Sequence, residues 1–362
     1  MARKVYRTID WSILIPALIL IGFGLMMIAD ISLVEATVNF GDKFYFLKHQ
    51  LTWALVGGIL GLIFSFIDYH FWEKFARPIF FLALVALILV FVPGIGISAY
   101  GAKRWLNLII INFQPVELAK LALIFYFSSL ISKENKRPLW QQLVVLCLPL
   151  ALILFEPDFS SAVLVAVVVA ILWFLSGESL IQILFLGLLG LTASWLLISS
   201  SPYRKQRMLG LFNPFSDPQG KSYHAYQLVL TLGSGGWLGT GMGNSRQKYQ
   251  YLPEATTDSI VALAAEEFGF LGIAVFIAFF SFFVFRCFLI AKRAADPFGQ
   301  FLAAGITGLI VIQGLINLGA TAIILPLTGM PFPFVSYGGS SLITLMAAMG
   351  ILLNISRYQQ VP

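Results

Sequence analysis

Long runs of apolar residues, each close to the length of one membrane crossing, constrain this chain more than any other feature. The 362-residue sequence is 59% hydrophobic and only 11% charged, whereas about a quarter of the residues in a soluble domain are charged. Crossing the hydrocarbon core of a bilayer takes a helix of roughly 20 apolar residues. Helices satisfy their own backbone hydrogen bonds in lipid, and the runs lack the period-two polarity of barrel strands. The sequence therefore predicts an all-α polytopic membrane protein and excludes a soluble enzyme or a disordered chain.

The apolar runs predict about ten transmembrane helices within a single domain that covers residues 1–362. A large polar loop, at about residues 201–260, separates the seventh predicted span from the eighth. A long polar loop of this kind is a usual place for binding or catalytic residues. The predicted spans cover about residues 11–34, 50–67, 78–94, 116–132, 139–155, 160–176, 179–200, 264–290, 300–325 and 339–356.

Lysine and arginine in the connecting segments predict the orientation of the chain. With the N-terminus in the cytoplasm, the cytoplasmic segments hold twelve of these residues, and the short outer loops hold four: Lys43, Lys48, Lys103 and Arg104. Basic residues accumulate on the cytoplasmic side, so both termini are expected inside and the large loop outside. The net charge of +6 is then a consequence of topology, and no nucleic-acid partner is expected.

Charged residues cluster near the predicted outer ends of the spans, where they are costly and often functional. Gln114, Pro115, Glu117 and Lys120 occupy the first turns of the fourth span, and Pro115 suits a helix start. Glu117 and Lys120 have the i, i+3 spacing of a pair on one helix face. The partner of Lys120 is Glu117, Asp158 or a ligand phosphate, and these three alternatives stay open at the level of the sequence.

Two further outer segments carry charge in tight loops. Glu156 and Asp158 flank Pro157, and they either cap the following helix or take part in chemistry. Lys103 and Arg104 precede Trp105, and this group either binds a phosphate of a lipid headgroup or anchors the membrane interface.

Asp258 stands at the point where the large polar loop turns into an apolar helix. From its position alone, Asp258 is best explained as an N-cap of that helix. The preceding stretch 233–243 is rich in glycine, lacks the Gly-Lys-Ser/Thr ending of a phosphate-binding loop, and predicts a flexible re-entrant or interfacial loop. Glu266 and Glu267 are expected to line a cavity, because hydrocarbon would penalise them.

Six segments, in order along the chain, resemble those of the SEDS family of shape, elongation, division and sporulation proteins, which includes FtsW, RodA and SpoVE. The segments are residues 101–105, 113–120, 156–158, 233–243, 251–258 and 331–341. Glu156 before Pro157, and Gly243-Asn244 followed by Lys248-Tyr249, resemble FtsW more than RodA. Two positions depart from the family pattern: Thr256 replaces a common histidine, and Ser160-Ser161 replaces a common Gly-Thr.

The resemblance implies a peptidoglycan glycosyltransferase that polymerises lipid II at the outer face of the bacterial cytoplasmic membrane, with inversion at the anomeric centre and a septal role in cell division. It places the essential aspartate of the family at Asp258. The substrate-binding residues that we expect are Gln114, Glu117, Lys120, Lys103, Arg104, Asp158 and Glu254. The implied partners are a class B penicillin-binding protein and other division proteins.

A divalent cation, Mg²⁺ or Mn²⁺, would assist departure of the diphosphate, and no organic cofactor is expected. Two alternative functions remain at this level: a lipid II flippase, and a polymerase of the RodA type that acts in cell elongation. The charged residues cluster at the outer ends of the predicted spans, which argues against a flippase. A flippase needs polar groups deep in the membrane and on the cytoplasmic side as well.

Overall fold

The protein is helical almost throughout the part of the chain that its computed structural model describes, which is residues 9–99, 102–107, 112–133 and 137–358. Both extreme termini, including Arg3, Lys4 and Arg7, lie outside the described residues, as does Lys136. The predicted cytoplasmic location of the termini and the single-domain organisation therefore stay predictions.

Thirteen helices are present in the described ranges, and ten of them coincide with the ten predicted spans to within several residues. Six of these ten are long and apolar enough to cross a membrane by length and composition, so the chain has the helices of a multi-pass membrane protein, and the exact number of crossings stays a prediction. The helices are α1 (Trp11–Ile31), α2 (Leu33–Phe40), α3 (Tyr45–Phe66), α4 (His70–Leu89), α5 (Pro115–Ile131), α6 (Leu139–Phe155), α7 (Phe159–Leu175), α8 (Leu180–Ser199), α9 (Pro202–Phe212), α10 (Tyr223–Gly235), α11 (Ile260–Arg293), α12 (Pro297–Thr321) and α13 (Gly339–Arg357).

A small antiparallel sheet between α4 and α5 is one feature of the fold that hydropathy did not predict. Its strands lie in the order β1 (Gly96–Ala99), β2 (Ala102–Asn107) and β3 (Asn112–Phe113). Trp105 pairs with Ile97, and Leu106 pairs with Phe113. The strands are too short to form an apolar run in the sequence. Strand β2 carries Lys103 and Arg104.

The core of the bundle lies along α5, α12 and α13, which are buried over most of their length, whereas α8 has no buried residue. Helices α3 and α13 approach closely at Gly61 and Gly350, where a Cβ atom on Gly350 would lie 2.1 Å from the carbonyl oxygen of Gly61. Small residues at such crossings allow two membrane helices to pack backbone against backbone. Burial in α5 and α12 matters for function because these helices carry Lys120 and Asn317.

The large polar loop is more ordered than the sequence predicted. Residues 202–212 and 223–235 form α9 and α10, so the glycine-rich stretch begins inside a helix. The rest of the stretch packs on α11, where Gly269 has a φ of 66° and would bring a Cβ atom to 2.3 Å from the amide nitrogen of Gly239. The glycine-rich stretch is therefore helical as far as Gly235, and Gly239 and Gly269 allow close packing of two backbones. A flexible, re-entrant or interfacial position of this stretch stays a prediction.

Candidate active site

Asp258 lies in a tight turn, residues 253–259, which we call the Asp258 turn. Its carboxylate accepts a hydrogen bond from the Thr257 hydroxyl at 3.1 Å, and the same hydroxyl lies 2.9 Å from a carboxylate oxygen of Glu254. One hydroxyl has one proton to donate, so Asp258 has only a shared hydrogen bond from this side chain. The N-cap of α11 is Ser259, not Asp258. The interpretation of Asp258 as the N-cap of α11 was therefore wrong, and in the described structure its carboxylate does not cap the start of this helix.

The surroundings of Asp258 favour its protonated form. Burial raises the pKa of Asp258 to about 6, and the nearby carboxylate of Glu254 adds to the rise, whereas the positive charge of Arg207 opposes it. Removal of a carboxylate from water disfavours its charged form. A carboxyl group that titrates near neutral pH can accept a proton from a hydroxyl group and release it again.

Two neighbouring elements hold the Asp258 turn in place. Asn317 of α12 donates from its side-chain amide to the carbonyl oxygens of Asp258 at 2.9 Å and Met330 at 2.8 Å. The amide of Tyr337 donates to the carbonyl oxygen of Thr256 at 2.9 Å. The loop between α12 and α13 is thus joined to the Asp258 turn through Asn317, which binds Met330 of the loop, and directly through Tyr337. These contacts use backbone atoms of the turn and do not involve the Asp258 carboxylate.

Lys120 and Glu117 form an ion pair on α5, the first of the three alternatives, with 2.7 Å between the ammonium nitrogen and a carboxylate oxygen. Both side chains are buried, and Lys120 also lies 3.5 Å from the side-chain oxygen of Gln313 on α12. Gln313 and Asn317 are four residues apart, which is about 6 Å along a helix. The pair therefore lies about one turn away from the group that holds Asp258, and the structure brings these two predicted sites together through α12.

Arg104 is directed to the turn that contains Glu156 and Pro157. Its guanidinium donates to the carbonyl oxygen of Glu156 at 3.0 Å and to that of Pro157 at 2.5 Å, while the neighbouring Lys103 is exposed. Asp158 caps α7 by accepting hydrogen bonds from the amide of Ser161 at 3.1 Å and from its hydroxyl at 2.8 Å. Of the two predicted roles for Asp158, capping is the one that the geometry displays.

Glu156 is fully buried, and in the described part of the chain neither carboxylate oxygen has a hydrogen-bond partner. Burial and the carboxylate of Asp158 raise the pKa of Glu156 to about 8, against the opposing charge of Arg104. This side chain is therefore mainly neutral at pH 7, and its surroundings suit a glutamine as well as a glutamate.

Gln114 joins two helices through its backbone, whereas Glu254 is an exposed side chain on the Asp258 turn. The backbone amide of Gln114 donates to the hydroxyl of Ser340 at 3.1 Å, which joins the start of α5 to the start of α13. Glu254 is exposed and has a φ of 51°. Burial raises the pKa of Glu35 on α2, and the negative charge of Glu254 adds to that rise. Glu254 therefore adds negative charge to the surroundings of the Asp258 carboxylate.

A second group of charged residues, which we call the Lys248 cluster, fixes the glycine-rich segment to α1 and α11. Lys248 lies 2.9 and 3.0 Å from the two carboxylate oxygens of Asp30, 2.6 Å from the carbonyl oxygen of Gly243 and 3.7 Å from Glu267. The hydroxyl of Ser245 donates to Glu266. Glu266 and Glu267, which the sequence placed in a cavity, instead bind this segment.

Two residues near Asp258 were missed from the sequence, Arg207 and His224. Arg207 of α9 donates to the carbonyl oxygen of Leu327 at 2.8 Å, and its charge reaches both Asp258 and His224. The Nε2 atom of His224 lies 3.0 Å from the hydroxyl of Ser259, and that hydroxyl donates to the carbonyl oxygen of Pro253 at 3.0 Å. Neither residue belongs to a motif, and helical structure within the polar loop was the only signal that could have suggested them.

His224 is a neutral hydrogen-bond donor. Burial lowers its pKa to about 4, and the positive charge of Arg207 contributes to the lowering. Because the only hydroxyl proton of Ser259 goes to Pro253, the His224 ring must supply the proton of the bond to Ser259. His224 therefore links α10 to the two ends of the Asp258 turn.

The described residues contain no group of three His, Cys, Asp or Glu side chains that could hold a metal ion. A divalent cation that met the diphosphate of a substrate would take several ligands from phosphate and water. The predicted divalent cation stays a prediction.

Comparison with known proteins gives consistent matches over nearly the whole chain. A family model described as cell cycle protein, FtsW/RodA/SpoVE, matches residues 10–361. A probable peptidoglycan glycosyltransferase FtsW from Trichlorobacter lovleyi is 40% identical over 98% of this chain and 95% of its own length. Another FtsW with the same description, from Geobacter sulfurreducens, is 41% identical over 96% of this chain and 95% of its own length.

A solved structure shares the fold. It is one chain of a peptidoglycan synthase complex that coordinates polymerization and crosslinking, and it matches with a TM-score of 0.79 and 25% identity over 97% of this chain and 98% of that chain. The helical arrangement therefore recurs in a solved structure over almost the full length of this one.

Proposed function

The chain belongs to the FtsW/RodA/SpoVE family of cell cycle proteins, and we propose that it is a peptidoglycan glycosyltransferase that polymerises lipid II during septal cell-wall synthesis. Relatives with about 40% identity over nearly their full length carry the FtsW description, which supports the septal role over a role in elongation. The observation that carries the reaction is the Asp258 carboxyl group, whose pKa is raised by burial to about 6, on a turn that Asn317 holds in place.

Asp258 is proposed as the general base. Formation of a β-linkage from an α-linked diphosphate inverts the anomeric centre, so one displacement is sufficient. The Asp258 carboxylate accepts the proton of the acceptor sugar hydroxyl as its oxygen attacks the anomeric carbon, and the bond to the diphosphate oxygen breaks with its electron pair. Two further residues act on Asp258: Arg207 by its charge and Asn317 by holding the backbone of the turn.

The departing diphosphate needs positive charge where its own negative charge develops. Lys120, Arg104 and Lys103 are the proposed phosphate-binding residues, with Glu117 positioning Lys120. Arg207 joins this group on the strength of its charge beside Asp258. Gln114, Asp158 and Glu254 are proposed to shape the same outer mouth.

The likeness to one chain of a peptidoglycan synthase complex supports a transpeptidase of the class B penicillin-binding type as a partner, and other division proteins are proposed beside it. The apolar helices and the family suit a multi-pass protein of the bacterial cytoplasmic membrane, with the Asp258 end on its outer side.

Polymerisation in detergent tests this function. The purified protein, alone and with a class B penicillin-binding protein, is incubated with lipid II and Mg²⁺, and glycan strands are resolved on a gel. Detergent offers no two sides between which a lipid could be flipped, so strands there identify a polymerase. Loss of the base is expected to lower the rate by about 10²- to 10⁴-fold in Asp258→Asn.

A matched control is Asp42→Asn, because Asp42 is also an aspartate but is exposed, and within the described ranges it pairs with Lys48 at 2.6 Å and accepts a hydrogen bond from the Phe44 amide at 3.0 Å. We expect this variant to polymerise at the wild-type rate. Strands from Asp258→Asn at the wild-type rate would rule out the proposed base, and no strands from the wild-type complex would rule out the polymerase.

A further inference from the structure

A basic cavity lies at the end of the bundle opposite to Asp258, between the start of α4 and the end of α5. The volume of the cavity is about 400 Å³. It is lined by His70, Glu73, Lys74, Arg77, Ser129 and Lys133. None of these residues takes part in the proposed reaction.

Helix α12 shows how far this cavity is from the active site. Near its start, Gly299 packs against the ring of Tyr69, which directly precedes α4. Near its end, Asn317 binds the carbonyl oxygen of Asp258. The 18 residues between them correspond to about 27 Å of α-helix. The cavity therefore faces the opposite membrane surface, the one to which lysine and arginine assign the cytoplasm.

The positive charges in this cavity are not neutralised within the described protein. Lys74, Arg77 and Lys133 are exposed, and in the described ranges none of the three has an ion pair or a side-chain hydrogen bond. Glu73 is the one carboxylate of the lining, and His70 is engaged by Asp68 at 2.7 Å. Three cations and one carboxylate leave a net positive charge in a concave site.

The chemistry of the lining fits a phosphodiester. The Arg77 guanidinium can donate two parallel hydrogen bonds to phosphate oxygens, the two lysines supply charge, and the Ser129 hydroxyl adds a donor. Helix α4, which carries Lys74 and Arg77, exposes three phenylalanines to the outside of the bundle. The exposed fractions of Phe71, Phe75 and Phe81 are 42%, 37% and 63%. A molecule with its phosphate in the cavity would therefore have apolar protein surface beside it for acyl chains.

We propose that this cavity binds the headgroup of an anionic phospholipid, of which phosphatidylglycerol is the probe, in the membrane leaflet opposite to the active site. Basic pockets between helices near the cytoplasmic surface are suited to anionic headgroups. The proposal does not depend on the reaction at Asp258, since it rests on residues at the other end of the bundle.

Lipid binding to the purified full-length protein tests the proposal. The delipidated protein is titrated with phosphatidylglycerol or phosphatidylcholine, and bound lipid is counted by native mass spectrometry. Each basic residue near an anionic headgroup contributes about fivefold to affinity, so Lys74→Gln/Arg77→Gln is expected to weaken phosphatidylglycerol binding by about 25-fold. Phosphatidylcholine binding is expected to stay unchanged.

The matched control is Lys292→Gln/Arg293→Gln, which removes one lysine and one arginine from the exposed end of α11 at the same membrane surface. This variant is expected to keep wild-type affinity for phosphatidylglycerol. An equal loss in both double variants would overturn the cavity in favour of diffuse surface charge. Competition by millimolar inorganic phosphate that abolished lipid binding would overturn the lipid headgroup in favour of a free phosphate site.

Discussion

The Lys248 cluster and the Asp258 turn hold the two ends of one segment, residues 243–259, yet Asp30 in the first and Asp258 in the second have different hydrogen-bond partners. In the Lys248 cluster, an ammonium lies within 3.0 Å of both oxygens of Asp30. In the Asp258 turn, the carboxylate shares one hydroxyl proton, and its pKa rises to about 6. A carboxylate in direct contact with an ammonium fixes the backbone, whereas one that only shares a hydroxyl proton stays available for proton transfer.

The largest expected effect is a difference in thermal stability between a variant of the Lys248 cluster and a variant of the Asp258 turn. Removal of one partner from a buried ion pair costs about 3 to 5 kcal/mol, and Lys248→Met leaves Asp30 and Glu267 without their cation. We expect Lys248→Met to lower the thermal unfolding temperature in detergent strongly, and Asp258→Asn to leave it nearly unchanged. The double variant Asp30→Asn/Lys248→Met is expected to regain part of the loss, and an equal loss in Asp258→Asn would contradict the comparison.

The Glu117–Lys120 pair tests whether a closely paired cation also takes part in the reaction. Lys120→Met alone is expected to cost about 3 kcal/mol of stability, because it leaves a buried carboxylate. Glu117→Gln/Lys120→Met removes both charges and is expected to unfold near the wild-type temperature. If Lys120 binds diphosphate, this stable double variant still fails to polymerise lipid II at the wild-type rate; full activity would make the pair purely structural.

The raised pKa of Asp258 predicts a pH profile. The base must be deprotonated, so the rate is expected to rise about tenfold for each pH unit below pH 6 and to level off above it. Glu254 raises the pKa of Asp258 by its negative charge, so Glu254→Gln is expected to move the midpoint to lower pH. Initial rates on lipid II at saturating concentration measure the midpoint, and an unmoved midpoint in Glu254→Gln would show that burial alone sets it.

The smallest expected effect belongs to His224, which supports the Asp258 turn from a distance. A net hydrogen bond of about 1 kcal/mol corresponds to a loss of about fivefold in rate, which we expect for His224→Phe. His224→Gln keeps a donor and is expected to recover most of the rate. Turnover numbers of the two variants decide this point, since a purely steric role for the ring would favour phenylalanine over glutamine.

Much of the fold follows from short-range patterns in the sequence. The apolar runs predicted ten helices to within several residues, because each helix satisfies its backbone within one segment. The same local logic placed the pair of Glu117 and Lys120, which are three residues apart, and the helix cap at Asp158 among the alternatives that it left open. The family was also recognised from its motifs.

Long-range contacts decided the rest. Lys248 and Asp30 are 218 positions apart, Asn317 reaches Asp258 across 59 positions, and His224 reaches Ser259 across 35. No periodicity in the sequence relates such positions, since loop closure brings together residues whose spacing follows no repeat.

By itself, the sequence determined that the chain is helical, apolar and a relative of cell-wall polymerases, because burial in lipid acts on every residue of a span. Only the tertiary structure decided that, among the described residues, the Asp258 carboxylate shares the Thr257 hydroxyl and does not cap α11, while Lys248 and Lys120 each have an acid within 3 Å. The physical reason is that burial and charge depend on neighbours in space. An aspartate carboxylate therefore acts as a structural anchor or as a base according to which side chains lie against it.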